Sequence, residues 1–245
     1  MLKWFLNKKE KACEVLDFSV LKTDIHSHFI PGIDDGAPDM EASITLIKKM
    51  QALGFSKVIT SPHVMSDFYQ NSSEIILNGL ADVRAELKLQ NINMEIDAVA
   101  EYYIDYEFEQ KIGNKKFLTF GDNYLLVELS FMEVPRNLFD IIFKLQLEGY
   151  KVVLAHPERY GYYKQEDYDN LVNRGVLLQI NLLSLIGYYS PQIKKKTEQL
   201  IAKGQVSFVG TDCHNMMHAE LYEKCQTKKA WHDLVNSGKL LNATL

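Results

Sequence analysis

The segment Lys151-Val-Val-Leu-Ala-His-Pro-Glu-Arg159 is the most informative part of this chain about its fold. Four of its first five residues are apolar, and a short run of this kind is typical of a strand buried on both faces of a parallel sheet. The run ends at His156. Because functional sites of parallel barrels lie at the carboxyl ends of their strands, this histidine also indicates where a site is expected.

Six other apolar runs repeat the pattern. Together with 151–155, the predicted strands are 21–26, 57–61, 94–100, 124–129, 176–181 and 206–210. Segments with helical periodicity lie at 39–53, 73–90, 136–148, 165–173, 191–203 and 218–236. Asp39 is expected to cap the first helix and Gly54 to end it. This alternation predicts a parallel α/β barrel or an open doubly wound sheet.

The composition is that of one globular domain. Of the 245 residues, 47% are hydrophobic and 24% are charged, which suits a single buried core. No apolar run approaches the roughly 18 residues that cross a bilayer, so no membrane span is expected. The net charge of -5 and pI of about 5.8 give no broad basic surface, so nucleic acid is not an expected partner.

The cysteines and the N-terminus bear on the compartment. Cys13, Cys213 and Cys225 are an odd number with no Cys-x-x-Cys pair, which favours a reducing compartment, the cytoplasm, over a disulfide framework. Residues 1–21 lack the basic-then-apolar order of a signal peptide. They are expected to form a surface helix or tail, with a weak membrane-surface or partner contact as the alternative.

Histidine and acidic residues follow the predicted strands. They are His26 and His28 at the end of the first strand, His63 after the second, Glu101 after the third, Glu128 at the end of the fourth, His156 after the fifth, and Asp212 with His214 after the seventh. Five of the seven histidines therefore occupy the carboxyl ends of strands. Structural histidines have no reason to choose that edge, so the arrangement predicts one functional site.

The spacing of these residues suits metal chelation. Strand side chains two residues apart point the same way, about 6–7 Å apart, so His26 and His28 could share one cation. Asp212 and His214 repeat the spacing, and Asp24 is expected to support a ligand from behind. Imidazole with carboxylate suits Zn, Mn or Fe.

Some of these residues have simpler interpretations. Glu101 alone could be an ordinary loop charge, whereas Glu128 lies in an apolar strand where a carboxylate needs a partner. In the turn Pro31-Gly-Ile-Asp-Asp-Gly36, Asp34 and Asp35 compete for one ligand role, and the residues alone do not choose between them.

Two arginines indicate an anionic substrate, because guanidinium binds phosphate in a bidentate manner. Arg159 lies three residues beyond His156, and Arg136 follows the strand that ends at Glu128. The alternative for both is an ordinary surface charge. His218 and His232, on the last predicted helix, are interpreted as surface or packing residues, and Cys213 as structural.

The complete series of motifs resembles the polymerase-and-histidinol-phosphatase (PHP) superfamily, and within it the bacterial PHP-type protein-tyrosine phosphatases of capsule and exopolysaccharide synthesis. The motifs are Thr-Asp-Ile-His-Ser-His-Phe-Ile-Pro-Gly-Ile-Asp-Asp-Gly, Thr-Ser-Pro-His, Ala-Glu-Tyr-Tyr, Leu-Val-Glu-Leu-Ser, Ala-His-Pro-Glu-Arg-Tyr and Thr-Asp-Cys-His-Asn. The resemblance covers about residues 22 to 235, so residues 1–21 are expected to be an N-terminal extension and 22–245 one metallophosphatase domain.

The resemblance implies a distorted (β/α)7 TIM-like barrel, the PHP fold, with two or three divalent metals, Mn²⁺ before Fe or Zn. The implied ligands are His26, His28, Glu101 and Asp212 for a first metal, Glu101, Glu128 and His156 for a second, and Asp35, His63 and His214 for a third. The resemblance favours Asp35 over Asp34, and it implies that Arg159 binds phosphate. Arg136, His63 and Asp35 complete the candidate catalytic set.

The implied activity is hydrolysis of phosphotyrosine by a metal-activated hydroxide, with a bacterial tyrosine autokinase as the expected protein partner. One departure bears on phosphate affinity or substrate choice. Relatives often carry an arginine shortly after the Asp-x-His motif, where this chain has Asn215-Met-Met-His-Ala-Glu220. The alternatives are another PHP phosphoesterase, such as a histidinol-phosphate phosphatase or a nuclease, and a catalytically idle binding module.

Overall fold

The structure, a computed structural model, describes residues 13–245 as parallel strands connected by helices. The strands are β1 (Thr23–Asp24), β2 (Lys57–Thr60), β3 (His63–Val64), β4 (Glu95–Ala98), β5 (Glu101–Tyr103), β6 (Tyr124–Glu128), β7 (Lys151–Ala155), β8 (Leu177–Asn181) and β9 (Val206–Gly210). The helices are α1 (Met40–Ala52), α2 (Ser73–Leu89), α3 (Tyr106–Lys111), α4 (Leu138–Leu147), α5 (Gln165–Asn173), α6 (Pro191–Ala202), α7 (Met216–Leu221) and α8 (Lys229–Asn236).

The strands form a distorted barrel of seven strand segments. β2 and β3 are two parts of one strand segment, and β4 and β5 are two parts of the next. Where both segments are interrupted, a hydrogen bond of 2.9 Å from Val99 N to Thr60 O joins them. The named strands pair in parallel throughout. A parallel bridge between Ser27 and Cys213 joins the last segment to the first. The predicted barrel is thereby confirmed over the open sheet.

Alternate strand residues belong to two apolar clusters. Leu126 and Val153 pack in a smaller cluster formed mainly by side chains of the strands, on the inner face of the barrel. Their neighbours Leu125 and Val152 pack in the larger cluster beneath the helices. Both faces of β6 and β7 are therefore buried, which explains why these runs are apolar nearly throughout. Glu128, two residues after Leu126, continues the inner face to the carboxyl end of the barrel.

The predicted helix signals agree with the structure at the first helix. Asp39 accepts a hydrogen bond of 2.8 Å from Ala42 N, and Gly54 follows the helix with φ of 105°. The short α3 was not predicted, because six residues give too little periodicity to detect. Within residues 13–245, no helix combines the length and the apolarity that crossing a bilayer requires.

The predicted last helix, 218–236, is wrong as one continuous element. The chain forms α7, then a 3-10 turn at Tyr222–Cys225, and then α8. The Tyr222 hydroxyl donates 3.0 Å to Thr211 O, which ties the turn to the end of β9. Lys228 then takes an extended conformation, φ -82° and ψ 135°, which interrupts the helical path.

The predicted N-terminal extension falls partly outside the described residues, which begin at Cys13. Its remaining part packs on the barrel: Phe18 is fully buried against Phe55 and Trp231, at ring-centroid distances of 5.4 and 5.2 Å. The Trp231 indole also donates 2.8 Å to Leu16 O. The boundary at residue 21 stays a prediction.

Candidate metal centre

The structure brings all nine predicted ligands into one network at the carboxyl end of the barrel. Neighbouring imidazole nitrogens and carboxylate oxygens lie 3.1 to 3.8 Å apart. Six of these residues, each no more than 4% exposed, form what we call the buried ligand group: His26, His28, Glu101, Glu128, His156 and Asp212. The other three, which reach solvent, form the open ligand group: Asp35, His63 and His214.

Glu101 is at the middle of the buried ligand group. Its Oε2 lies 3.2 Å from His26 Nε2 and 3.1 Å from His63 Nδ1. Its Oε1 lies 3.1 Å from His156 Nε2. A carboxylate that turns each oxygen toward different imidazoles is suited to bridge two cations. Glu101 is therefore part of the site and not an ordinary loop charge.

The two aspartates of the Asp-Asp-Gly turn have different surroundings. Asp35 Oδ1 lies 3.5 Å from His63 Nε2 and 3.5 Å from His214 Nε2, and its side chain is 54% exposed. Asp34 Oδ2 instead pairs with His28 Nδ1 at 2.8 Å and accepts from His63 N at 3.1 Å. Asp34 therefore orients a histidine from behind, whereas Asp35 lies among ligand-type nitrogens.

A chain of buried amides supports the opposite side of the site. His26 Nδ1 contacts Gln179 Oε1 at 2.8 Å, which leaves Nε2 for the carboxylates. Gln179 Nε2 donates 2.9 Å to Asn181 Oδ1, and Asn181 Nδ2 donates 2.6 Å to Asp212 Oδ2. One continuous set of hydrogen bonds thus fixes a histidine and a carboxylate from different strands.

Asp24 supports the candidate ligands from behind, as expected. Its carboxylate accepts hydrogen bonds from His26 N at 3.4 Å, Thr211 N at 2.9 Å and Thr211 Oγ1 at 2.6 Å. Burial raises the pKa of this carboxyl to about 6 against those hydrogen bonds. Asp24 holds the backbone immediately before Asp212, and Gln179 supports the His26 ring. The strand pattern could not predict these partners of Asp24 and His26. β1 ends at Asp24, so the alternation of its side chains does not extend to the histidines.

Two of the candidate ligands have left-handed backbone conformations. His156 has φ of 33° and Asp212 has φ of 54°. Non-glycine residues adopt this region at a cost of order 1–3 kcal/mol, and such residues concentrate at functional sites. At both positions the turn comes just after a strand and directs the side chain into the network of ligands.

The carboxylates of the buried ligand group are electrostatically crowded. Burial raises the pKa of Glu128 well above its usual range, and the charges of Glu101 and Asp212 add to this. Burial also opposes ionisation of Glu101, but His26 and His63 outweigh it and hold its pKa well below the usual range. Opposite shifts in two adjacent carboxyls indicate that both cannot ionise easily together.

These residues fit divalent cations. Among the described residues, four buried ligand-type atoms of the network have no hydrogen-bond partner: His26 Nε2, His28 Nε2, His63 Nδ1 and Glu101 Oε2. Buried polar atoms without partners are costly, and cations between them would satisfy them and the crowded carboxylates together. The ligand atoms also gather within 4.8 Å of one another in three groups, which are His28, Asp35, His63 and His214; His26, His28 and Glu101; and His63, Glu101 and Glu128.

A cavity of about 370 Å³ opens over the network. Six of the candidate ligands line it, together with Phe131, Arg159, Tyr189, Asn215 and His218. Among these, Arg159 is the side chain whose charge suits a phosphate oxygen.

Arg159 is held in place by two aromatic rings and a carboxylate. Its guanidinium lies 4.8 Å from the Phe131 ring centroid and 4.5 Å from that of Tyr189. Arg159 Nη1 donates 3.0 Å to Asp212 Oδ2. The Tyr189 hydroxyl accepts from Asn181 Nδ2 at 3.2 Å, so the ring is itself anchored. Cation–π contacts on both sides position the guanidinium beside the cavity.

Three other residues have different outcomes. Arg136 is exposed and is not among the residues that line this cavity, so its catalytic role stays a prediction. His218 is a half-buried residue whose ring packs on those of Tyr188 and His214, as interpreted, and it also lines the cavity. His232 is a packing residue as expected, since its Nε2 contacts Glu14 O at 3.0 Å.

Four residues around the site were not predicted from the sequence: Gln179, Asn181, Phe131 and Tyr189. A signal was present for the first two, because polar residues alternate at the end of the otherwise apolar run Leu177-Leu-Gln-Ile-Asn181. The two aromatic residues follow β6 and β8 in irregular loops, where periodicity carries no information.

Comparisons with known proteins agree with this geometry. Residues 22–233 match the family described as capsular polysaccharide synthesis, CpsB/CapC. The tyrosine-protein phosphatase YwqE of Bacillus subtilis is 31% identical over 196 residues, which cover 79% of this chain and 77% of that protein. The putative tyrosine-protein phosphatase CapC of Staphylococcus aureus is 26% identical over 229 residues, which cover 89% and 90%.

A solved structure extends the similarity to three dimensions. It comes from work on YwqE of Bacillus subtilis and CpsB of Streptococcus pneumoniae, described as unique metal-dependent tyrosine phosphatases. It superposes with a TM-score of 0.79 at 27% identity, over 91% of this chain and 94% of that one. This chain therefore belongs to the CpsB/CapC family of capsular polysaccharide synthesis.

Proposed function

We propose that this chain is a metal-dependent protein-tyrosine phosphatase, a phosphoric monoester hydrolase that removes phosphate from phosphotyrosine in a protein. The observation that carries the proposal is one cavity lined by metal-type ligands and by the clamped guanidinium of Arg159. The relatives named tyrosine-protein phosphatase support the substrate class.

The chain's own residues account for binding and orientation of the phosphate. Divalent cations, when bound, supply Lewis acidity toward the phosphoryl oxygens and the attacking water. Arg159 donates to the non-bridging oxygens, and Asp212 fixes the direction of its donors. Tyrosine has an ordinary pKa of about 10, so a phenolate leaves with less protonation than an alkoxide requires.

A cysteine nucleophile does not fit the described structure. Cys213 and Cys225 are fully buried, and burial raises the pKa of both thiols. Neither lines the cavity, and neither carries an arginine six residues later, where this chain has Ala219 and Trp231. A route through direct attack of water is therefore the one that these residues support.

The proposal has finer parts. We assign the nine residues as ligands of two or three divalent metals, because the donors are imidazole and carboxylate without thiolate. The order of Mn²⁺ before Fe or Zn rests on the family resemblance alone. We also propose that the substrate is a bacterial tyrosine autokinase of capsule or exopolysaccharide synthesis, which the family description supports. A cytoplasmic location fits three cysteines that form no disulfide.

The test is metal-dependent turnover on three substrates. Chelator-stripped protein should be inactive on a phosphotyrosine peptide and should recover activity with Mn²⁺, Fe²⁺ or Zn²⁺. Histidinol phosphate and single-stranded DNA should be poorer substrates. His156→Ala should abolish turnover, whereas the matched control His232→Ala, away from the cavity, should retain it. Full activity of the stripped protein, or a preference for either of the other substrates, would refute the proposal.

A further inference from the structure

Exposed apolar side chains lie on the loops that carry residues of the proposed catalytic cavity. We call five of them the apolar rim: Phe68, Phe131, Met132, Tyr188 and Met217. Their exposed fractions range from 40% for Tyr188 to 87% for Met132. They come from four separate segments, which follow β3, β6, β8 and β9 at the carboxyl end of the barrel.

Each segment of the apolar rim is tied to the cavity by a neighbouring residue. Phe131 lines the cavity itself, and Met132 is next to it. Tyr188 is next to the cavity-lining Tyr189, and the Tyr188 ring lies 5.3 Å from that of His218.

The remaining two members are tied to the cavity in the same way. Met217 stands between Met216, which lines an adjoining cavity, and His218, which lines the catalytic one. Phe68 precedes Tyr69, whose ring stacks on that of His63 at 5.5 Å. The apolar rim therefore lies on the same loops as residues that line the two cavities or contact a candidate ligand.

The adjoining cavity adds room for a substrate larger than a phosphate ester. It has a volume of about 400 Å³ and shares Asp35, His214 and Asn215 with the catalytic cavity. A small phosphomonoester needs only the first cavity, whereas the two together give room for a polypeptide. Exposed apolar groups around a recess are typical of a surface that binds another protein.

We propose that the apolar rim is a docking surface for the polypeptide around the phosphotyrosine, and that it selects apolar side chains flanking that residue. This inference rests on the proposed function, because it names the substrate feature that the same site recognises. The occupant is a flexible peptide segment. The phosphate must reach ligands that are buried at the bottom of the cavity, and an extended segment can insert one side chain that far. The apolar side chains beside it then contact the rim.

The first test measures binding without turnover. Two short peptides carry a non-hydrolysable phosphonate analogue of phosphotyrosine, one flanked by leucine and methionine and the other by serine and glycine. Fluorescence anisotropy should show that wild-type protein binds the apolar peptide about tenfold more tightly. Met132→Ser/Met217→Ser should remove most of this difference. Equal Kd values for the two peptides in wild-type protein would overturn the inference.

The second test separates this inference from the proposed function. In Met132→Ser/Met217→Ser, the ratio of kcat/KM on the apolar phosphopeptide to that on p-nitrophenyl phosphate should fall about tenfold, mainly through KM. The matched control is Leu147→Ser at the end of α4, 70% exposed and before β7, hence at the opposite end of the barrel. It should leave the ratio unchanged. An unchanged ratio in the double variant, with both substrates hydrolysed, would overturn the rim and leave the phosphatase assignment intact.

Two other occupants give distinct results. If wild-type protein sediments with anionic lipid vesicles and the double variant does not, the rim is a membrane-binding surface and the peptide inference is wrong. If wild-type protein elutes as a dimer in gel filtration and the double variant as a monomer, the rim is covered by a second copy, and the inference is likewise wrong.

Discussion

The buried and open ligand groups belong to one candidate metal centre but differ in their access to water. Glu101 and His26 are fully buried, whereas the Asp35 side chain is 54% exposed and that of His214 is 15% exposed. A buried carboxylate or imidazole without a cation has no solvent to satisfy it, while an exposed one can be hydrated. Cation binding in the buried group should therefore be coupled to folding stability, and binding in the open group mainly to turnover.

The supporting contacts follow the same division. Gln179, Asn181 and Arg159 hold the buried group through hydrogen bonds to His26 and Asp212. Asp35 has contacts to His63 and His214 at 3.5 Å and lies in a turn at the surface. The buried group is thus supported by buried side-chain amides and a guanidinium, whereas Asp35 of the open group lies in an exposed turn.

The largest loss of activity is expected from a substitution of Glu101, the residue at the middle of the buried ligand group. Glu101→Gln keeps the shape of the side chain but removes the charge between His26, His63 and His156. Activity should fall at least about 10³-fold, because several kcal/mol of transition-state stabilisation depend on the bound cations. Elemental analysis should also show the loss of at least one metal per chain.

The matched control is Glu74→Gln on the exposed face of α2, which should keep full activity and metal content. If Glu101→Gln retained the metal content and turnover of the wild type, Glu101 would not bridge cations, and the distinction between the groups would lose its basis.

An intermediate effect is expected in the open group. Asp35→Asn should lower kcat/KM on p-nitrophenyl phosphate about 10²-fold, as ligand-shell changes commonly do. It should leave most of the metal-dependent rise in Tm, because the buried ligands are intact. In wild-type protein, free metal at about 1,000 times Kd should stabilise the fold by about 4 kcal/mol.

Thermal unfolding with and without Mn²⁺, for wild type, Asp35→Asn and Glu101→Gln, checks this expectation. The opposite order, in which Asp35→Asn loses the rise in Tm and Glu101→Gln keeps it, would reverse the comparison between the two groups.

The smallest effect is expected at the aromatic clamp that joins the buried group to the cavity. Tyr189→Ala removes one ring from Arg159 and should lower kcat/KM about tenfold, mainly through KM, because the guanidinium loses its fixed direction. Tyr189→Phe keeps the ring and loses only the contact of the hydroxyl with Asn181, so it should cost about twofold. Steady-state kinetics on p-nitrophenyl phosphate distinguish the two, and equal losses would assign the effect to the hydroxyl.

Most of the fold could be predicted from apolar periodicity. β6, β7 and β9 fall on the predicted runs within one residue, because both faces of each strand are buried and the runs are therefore continuous. α3 and the break between α7 and α8 could not be predicted, since they depend on contacts such as that of Tyr222 with Thr211. A hydrogen bond between residues distant in the chain leaves no periodic signal.

The candidate site also has a part that could be predicted from the sequence and a part that could not. Position at strand ends was enough to bring together His26, His63 and His156, because parallel strands finish at a common edge. The separate roles of Asp34 and Asp35, adjacent in one turn, depend on which histidine each carboxylate faces.

The residues alone predicted the alternation of parallel strands and helices and the gathering of histidines and carboxylates at one edge, because alternation and strand polarity are local properties of the chain. The choice of the barrel, of Asp35 over Asp34 and of the full set of nine came from the resemblance to a known family. Tertiary structure alone established which of those side chains are shielded from water, which partners hold them, and how two aromatic rings fix Arg159. The burial of a ligand and its supporting hydrogen bonds depend on segments that are far apart in the chain. Asp212 with Asn181 and His26 with Gln179 are examples, and no local sequence pattern encodes such contacts.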